Sequence, residues 1–209
     1  MKNKNIQFEF NQFTKKKTQS LTSKRDGETK IGEKLCYKIE DSKYVIIGIS
    51  EDIGPQANMG LKGSLNAFEA FLSRFLNTQS NRFLNGEEIF IAGEIKQTEA
   101  FQNIIEAKKR IEILDEFVKS ITEPIIKSGK ILIVIGGGHN NAYPLIKASY
   151  HKSKKAIDVI NLDPHADCRA LEGRHSGNPF LMPKSMVFSI NIRYLVFINN
   201  IIVKVFIII

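Results

Sequence analysis

Short continuous apolar runs alternate along this chain with longer stretches in which apolar residues recur every third or fourth position. Tyr44-Val45-Ile46-Ile47-Gly48-Ile49 is β-branched, unbroken and ended by polar residues, which predicts a buried strand within 43–50. Residues 51–55 read as a loop. Leu65, Phe68, Phe71, Leu72, Phe75 and Leu76 share one helical stripe and predict a helix over about 63–76. A second strand is predicted at 89–93. A long helix is expected within 97–127, where Ile104, Ile111, Leu114, Val118 and Ile121 keep a period near 3.6 and Pro124 marks a weakening. Residues 130–135 form a third strand pattern ended by Gly136-Gly137-Gly138, residues 142–150 a helix, and residues 156–162 a fourth strand. Alternation of this kind predicts a three-layer α/β/α fold with a mainly parallel sheet covered on both faces. No internal repeat is visible.

In such sheets ligands bind beyond the carboxyl ends of the strands, so the positions after Ile49, Gly93, Ile135 and Leu162 are where chemistry is expected. The fourth strand is followed by Asp163-Pro164-His165-Ala166-Asp167, whose metal-capable side chains stand at i, i+2 and i+4, on one face of an extended backbone. Two carboxylates and an imidazole suit Mn, Fe or Zn better than a thiolate-loving metal. The third strand is followed by Gly136-Gly137-Gly138-His139-Asn140. Its glycines let the backbone turn sharply and bring His139 to the same edge if the two strands are neighbours. Either motif alone is compatible with an ordinary polar turn. Together, at two strand ends expected to share one crevice, they specify a metal site. Cys168 follows Asp167 directly and is expected to point away from that face, while Arg169 and Arg174 read as solvated surface.

Composition narrows the remaining classes. The chain has 209 residues, 43% apolar and 25% charged, which fits one globular domain and excludes wholesale disorder or coiled coil. Its net charge is 30 − 22 = +8, and residues 1–35 carry nine basic against four acidic residues, so 9 − 4 = +5 of that excess sits at the start. Residues 1–35 are expected to be a solvated basic arm. Without interleaved aromatics or a recognised module, nucleic acid is not an expected partner. Two widely spaced cysteines, Cys36 and Cys168, make neither a disulfide framework nor a zinc knuckle, and the polar start is no signal peptide. A reducing, cytoplasmic compartment is expected. Residues 187–209 are largely Ile, Val, Phe and Leu, but Asn191, Arg193, Asn199, Asn200 and Lys204 interrupt them too often for a membrane span.

Gly136-Gly137-Gly138-His139 followed by Asn161-Leu162-Asp163-Pro164-His165-Ala166-Asp167 resembles the metal-binding core of the ureohydrolases, the family of arginases, agmatinases and formimidoylglutamases. Arg174-His175-Ser176-Gly177-Asn178-Pro179-Phe180 resembles the substrate loop that follows it. Gly138 where arginases usually have Asp, and Ser-Gly-Asn-Pro-Phe in place of a His-Gly turn, point to the formimidoylglutamase-like branch. So does the stretch from Gly48 through Asn58 and Phe71-Leu72, and the resemblance covers roughly residues 25–180. It implies an arginase-like fold and, in an intact site, two Mn ions that lower the pKa of a shared water. The resulting hydroxide attacks a linear amidine or guanidine and an amine leaves. The resemblance assigns His139 and Asp167 to one metal, His165 to the other and Asp163 to the bridge, with Asp167 also orienting the hydroxide. It makes Ser176 and Asn178 candidates for the substrate's amino-acid end. His175 is offset from the arginase-like turn and is expected to be a supporting or surface histidine beside the substrate. The implied partners are a small amidine or guanidino substrate and, as in the parent family, further copies of the chain, with no membrane.

The family draws two further aspartates from a Ser-x-Asp-x-Asp segment, yet after Asp167 this chain has no Asp and a single acidic residue, Glu172. The resemblance also stops at Phe180. Read from the third base of the Phe180 codon, the unique Met codons force Ala across Met182-Pro183 and Gly across Met186-Val187, as in a family-like Ser-Tyr-Ala-x-x-Tyr-Gly-Phe. Residues 181–209 are therefore expected to be an out-of-frame, non-native apolar tail, leaving 36–180 as a partial domain without its later strands. The expected function is a C–N hydrolase of linear amidines, inactive in this copy. The alternative is a non-catalytic metal-binding or regulatory remnant that associates with intact homologues.

Overall fold

The β-branched run Tyr44–Ser50 becomes the central strand of the protein, here described from a computed structural model over residues 7–181, 190–198 and 201–206. In chain order the elements are β1 (Phe8–Gln12), α1 (Lys15–Ser20), α2 (Ile31–Lys34), β2 (Tyr44–Ser50), α3 (Ile53–Ala57), α4 (Ala67–Phe75), β3 (Ile89–Gln97) and α5 (Ile104–Lys127). They are followed by β4 (Ile131–Ile135), α6 (Ala142–Ser153), β5 (Ile157–Leu162), β6 (Ile190–Ile198) and β7 (Ile201–Phe206). β2 pairs in parallel with β3 on one side and β4 on the other, and β1 adds an antiparallel edge to β3, giving the order β1-β3-β2-β4. Between Ile46 and Ile47 the β2–β3 register slips by one residue at Gly93, whose φ of 147° and close approach to the carbonyl of Asn11 leave no room for a side chain.

Both faces of the central strands β2 and β3 are covered, as the continuous apolar runs require. On one face Val45, Ile47 and Ile49 pack with Ala107, Ile111, Leu114 and Val118 of α5. On the other, Ile46, Ile89 and Ile91 pack with Phe68, Leu72 and Leu76 from α4 and its C-terminal cap. Gly48 is small because the ring of Phe68 lies where a Cβ would stand. α5 opens on Asn103, whose side chain accepts from the Glu106 N–H, and it runs through Pro124 to Lys127. Pro124 sits in the last turn, so the hydrogen bond it forfeits does not end the helix.

Two sequence expectations are corrected. Residues 8–35 are not a solvated arm: β1 is a sheet strand, and Phe8 and Ile31 are fully buried, because the apolar positions between the lysines face the core. β4 and β5 are not neighbours. β5 belongs to a second sheet of order β5-β6-β7, in which β6 runs parallel to β5 and β7 antiparallel to β6. That places β4 and β5 at sheet edges, where Ile131 and Ile133 of β4 and Ile160 and Leu162 of β5 are exposed instead of covered on both faces. Within the segment expected to be a non-native apolar tail, 190–198 and 201–206 form strands, consistent with their β-branched composition, and Ile192 packs with Ile146 of α6 and Phe180. Residues 182–189, 199–200 and 207–209 of that segment lie outside the described residues. No helix among the described residues is long and apolar enough to cross a membrane.

Candidate metal centre

The turn after β4 begins with Gly136 and Gly137 at φ of 89° and 71°, a left-handed pair that reverses the chain directly above the sheet. A short 3₁₀ turn, His139–Asn141, then leads into α6 and presents His139 at the carboxyl edge. Its imidazole stands edge-on to the buried ring of Phe180, with the centroids 5.3 Å apart.

The segment after β5 reaches the same place by a different geometry from the one the sequence suggests. It is not extended. The Asp163 carboxylate accepts the His165 backbone N–H at 2.7 Å, folding a tight Asx turn around Pro164, while the buried Asn161 amide donates to the His165 carbonyl at 3.3 Å. Asp167 then adopts φ of 48°, a left-handed conformation that Asp tolerates better than most residues. The turn sends the trio in different directions. Asp163 and Asp167 face His139, and the three offer ligand atoms all within 4.8 Å of one another. The Asp167 carboxylate meets His139 Nδ1 directly. The His165 side chain is 78% exposed and touches Asp163 Oδ1 through Nδ1 at 3.0 Å, without joining the three-residue group.

Two carboxylates and an imidazole in reach of one point, partly buried and, among the described residues, in no ion pair with Lys or Arg, fit a divalent cation. They line an open cavity of about 790 Å³, together with Asn58, Arg169 and Ser176. Arg169 is exposed, as expected, yet lies at the lining of this cavity and donates to Asn58 Oδ1 at 2.7 Å.

His175 and Asn178 do not line the cavity; both are fully buried beneath it. Asn178 Oδ1 accepts from the His175 N–H and from Arg174, and its amide donates to the carbonyls of Gly173 and Ala170. His175 Nδ1 accepts the Gly177 N–H, so the neutral ring carries its proton on Nε2. Burial, followed by the charge of Lys108, holds the His175 pKa below its ordinary value. These side chains shape the loop that presents Ser176.

Arg174, also expected at the surface, is buried and reaches Asp115 of α5 at 2.8 Å, the Asn178 carbonyl and the Asn140 carbonyl, with its guanidinium over the Tyr143 ring. Burial pushes the Asp115 carboxyl up to about 7, against the opposing pull of Arg174. Sequence reading missed this clamp because it pairs residues 59 positions apart on unrelated elements. It also passed over Glu51, although a charged residue directly after an apolar strand was a visible signal.

Comparison with known proteins places this geometry. Residues 42–199 match the Arginase family, a span that runs past Phe180. The chain is 28% identical over 145 residues to a formimidoylglutamase of Rhodococcus jostii, covering 68% of this chain and 42% of that protein. A formimidoylglutamase of Corynebacterium efficiens is 35% identical over 65 residues, 31% of this chain and 21% of its own length. Among solved structures, the Trypanosoma cruzi formiminoglutamase with Mn2+ superposes with a TM-score of 0.54 at 28% identity, covering 73% of this chain and 51% of that one. The chain thus spans about half the length of the relatives it matches. With the glycine turn, the Asp-x-His-x-Asp segment and the parallel sheet in agreement, this chain belongs to the arginase family, on its formimidoylglutamase-like side.

Proposed function

We propose that this chain carries the metal-binding part of a hydrolase that cleaves a C–N bond in a linear amidine, with formimidoylglutamate-like substrates favoured over other guanidino compounds. The observation that carries the reading is the convergence of His139, Asp163 and Asp167 at one point of a cavity in an arginase-family chain. Mn2+ is the favoured ion, because a similar solved protein holds it and the donor set is oxygen-rich. A cation bound there supplies positive charge that lowers the pKa of water and polarises the amidine carbon.

The chain's own residues do the rest. Asp167, facing His139 Nδ1, orients the imidazole and is placed to take a proton from attacking water. Asp163 serves as a metal ligand whose carboxylate offers an oxygen to the same point, and His165 beside it is the candidate ligand for a second ion. Ser176 offers a hydroxyl to the substrate, and Arg169 a positive charge suited to a carboxylate end. Asn178 and His175 act on the substrate only through the loop they brace.

The described residues provide one three-ligand group. We therefore read this group as binding one Mn2+ per copy, short of the two-ion set that the family resemblance implies, and as turning over little amidine with that ion alone. Among the described residues β4 and β5 each pair on one side only, which favours a second reading, a metal-binding remnant that joins intact homologues. Titration with Mn2+ followed by electron paramagnetic resonance tests the first. One ion per chain is expected, weakened at least about tenfold in His139→Ala and Asp167→Ala. Uptake unchanged by both substitutions sinks the proposal, and co-purification with a full-length formimidoylglutamase-like protein supports the second reading.

A further inference from the structure

We propose that Glu51 is the positioning residue of the metal centre, a buried carboxylate that fixes the turn carrying His139 without touching the cation. The inference rests on the metal-binding reading above for what the turn is positioned to do. Glu51 is 1% exposed and, among the described residues, forms no ion pair. It is not left unsatisfied. Oε1 accepts the Gly138 N–H at 2.7 Å, the Asn141 amide at 2.8 Å and the Asn140 amide at 3.3 Å, and Oε2 accepts the Gly54 N–H at 3.1 Å. All four partners are donors, as an ionised carboxylate requires.

The positions of those donors matter more than their number. Gly138 immediately precedes His139, and Asn140 and Asn141 immediately follow it, so the carboxylate grips the turn on both sides of the ligand. Both asparagines turn their NH2 groups to Glu51 and leave their buried Oδ1 atoms without a hydrogen-bond partner. Holding the turn is favoured over satisfying those oxygens. The packing leaves no slack: a Cβ at Gly137 would lie 3.0 Å from Glu51 Oε1 and 2.5 Å from Asn141 Nδ2. Gly54 ties the same carboxylate to the substrate loop, because its carbonyl accepts the Ser176 N–H at 3.1 Å. Glu51 thus joins the ends of β2 and β4 and the Ser176 loop in one hydrogen-bonded unit.

The test uses the full-length chain, with Glu51→Gln as the near-isosteric variant and Asn141→Ser as a milder one. Gln can keep an oxygen toward Gly138 only by turning its NH2 against the Gly54 N–H. Two readouts are followed: Mn2+ affinity, and, in metal-free protein, amide hydrogen exchange at Gly138 and Gly54 with the ring nitrogen resonances of His139. The expected result is that E51Q weakens Mn2+ binding about tenfold to a hundredfold. It should also speed exchange at Gly138 at least about tenfold and move the His139 resonances, with Leu114 in α5 unchanged. Asn141→Ser should shift the same observables by less, in the same direction. Unchanged exchange and resonances in both variants, or uniform acceleration across the fold with Mn2+ affinity retained, overturn the proposal. Should the unaltered protein take up no Mn2+, the metal reading fails, and the metal-free exchange data still decide the role of Glu51.

Discussion

The conformation of single residues decides which of the metal-capable side chains meet. Asp163 is drawn into the His165 N–H, and that contact converts an alternating trio into a turn from which His165 leans outward. His175 illustrates the opposite pull, toward the interior. Its ring is fully buried and its pKa is held down by that burial, so the unfolded chain takes up a proton first as pH falls. The stabilising contribution of neutral His175 is complete above about pH 6.5 and is lost as pH drops through the depressed folded value. Urea midpoints measured from pH 7.5 to pH 5 should fall more steeply in the native sequence than in His175→Gln. Parallel curves would show that the ring does not govern acid sensitivity.

At the scale of elements, the Asp115–Arg174 pair fastens the Ser176 loop to α5, and Arg174 also reaches the carbonyl of Asn140 beside His139. Removing the guanidinium would leave the buried Asp115 without its hydrogen-bonded cation, with only the weaker pull of Lys147 remaining. Arg174→Met is expected to cost about 3–5 kcal/mol in equilibrium unfolding, as broken buried pairs do. Asp115→Asn should cost less, because burial already favours the neutral acid and raises its pKa to about 7. Equal losses in the two variants would mean that the guanidinium stabilises through its packing on Tyr143 and its carbonyl bonds. The helices themselves were legible: Phe68 and Leu72 in α4, and Ile111, Leu114 and Val118 in α5, are buried where the stripe predicted. Element ends were less so, since β3 reaches Gln97 opposite Phe8 of β1, a partner 97 − 8 = 89 residues earlier that no local pattern reveals.

For the molecule as a whole, the important feature is the break between β4 and β5. Among the described residues each strand is paired on one side only, and Ile131, Ile133, Ile160 and Leu162 stand exposed along them. Apolar β-branched edges of this kind template association between copies. Ile133→Lys combined with Ile160→Lys should reduce self-association in sedimentation velocity while leaving Mn2+ uptake intact. Unchanged association would place the sticky surface elsewhere, for instance at Leu61 or Phe83, both strongly exposed.

Apolar periodicity and the two motifs were enough to indicate the layered α/β class, the family and where metal-capable side chains would gather, because these depend on side-chain chemistry and on repeats a few residues long. Tertiary structure alone decided that β4 and β5 sit in separate sheets, that residues 8–35 join the core, and that Asn178 and His175 brace the loop below the cavity. It also decided that Glu51 and Arg174 hold the site together from within. Those outcomes arise from contacts between segments tens of residues apart, where a buried charge finds its donors only after the chain has folded around it.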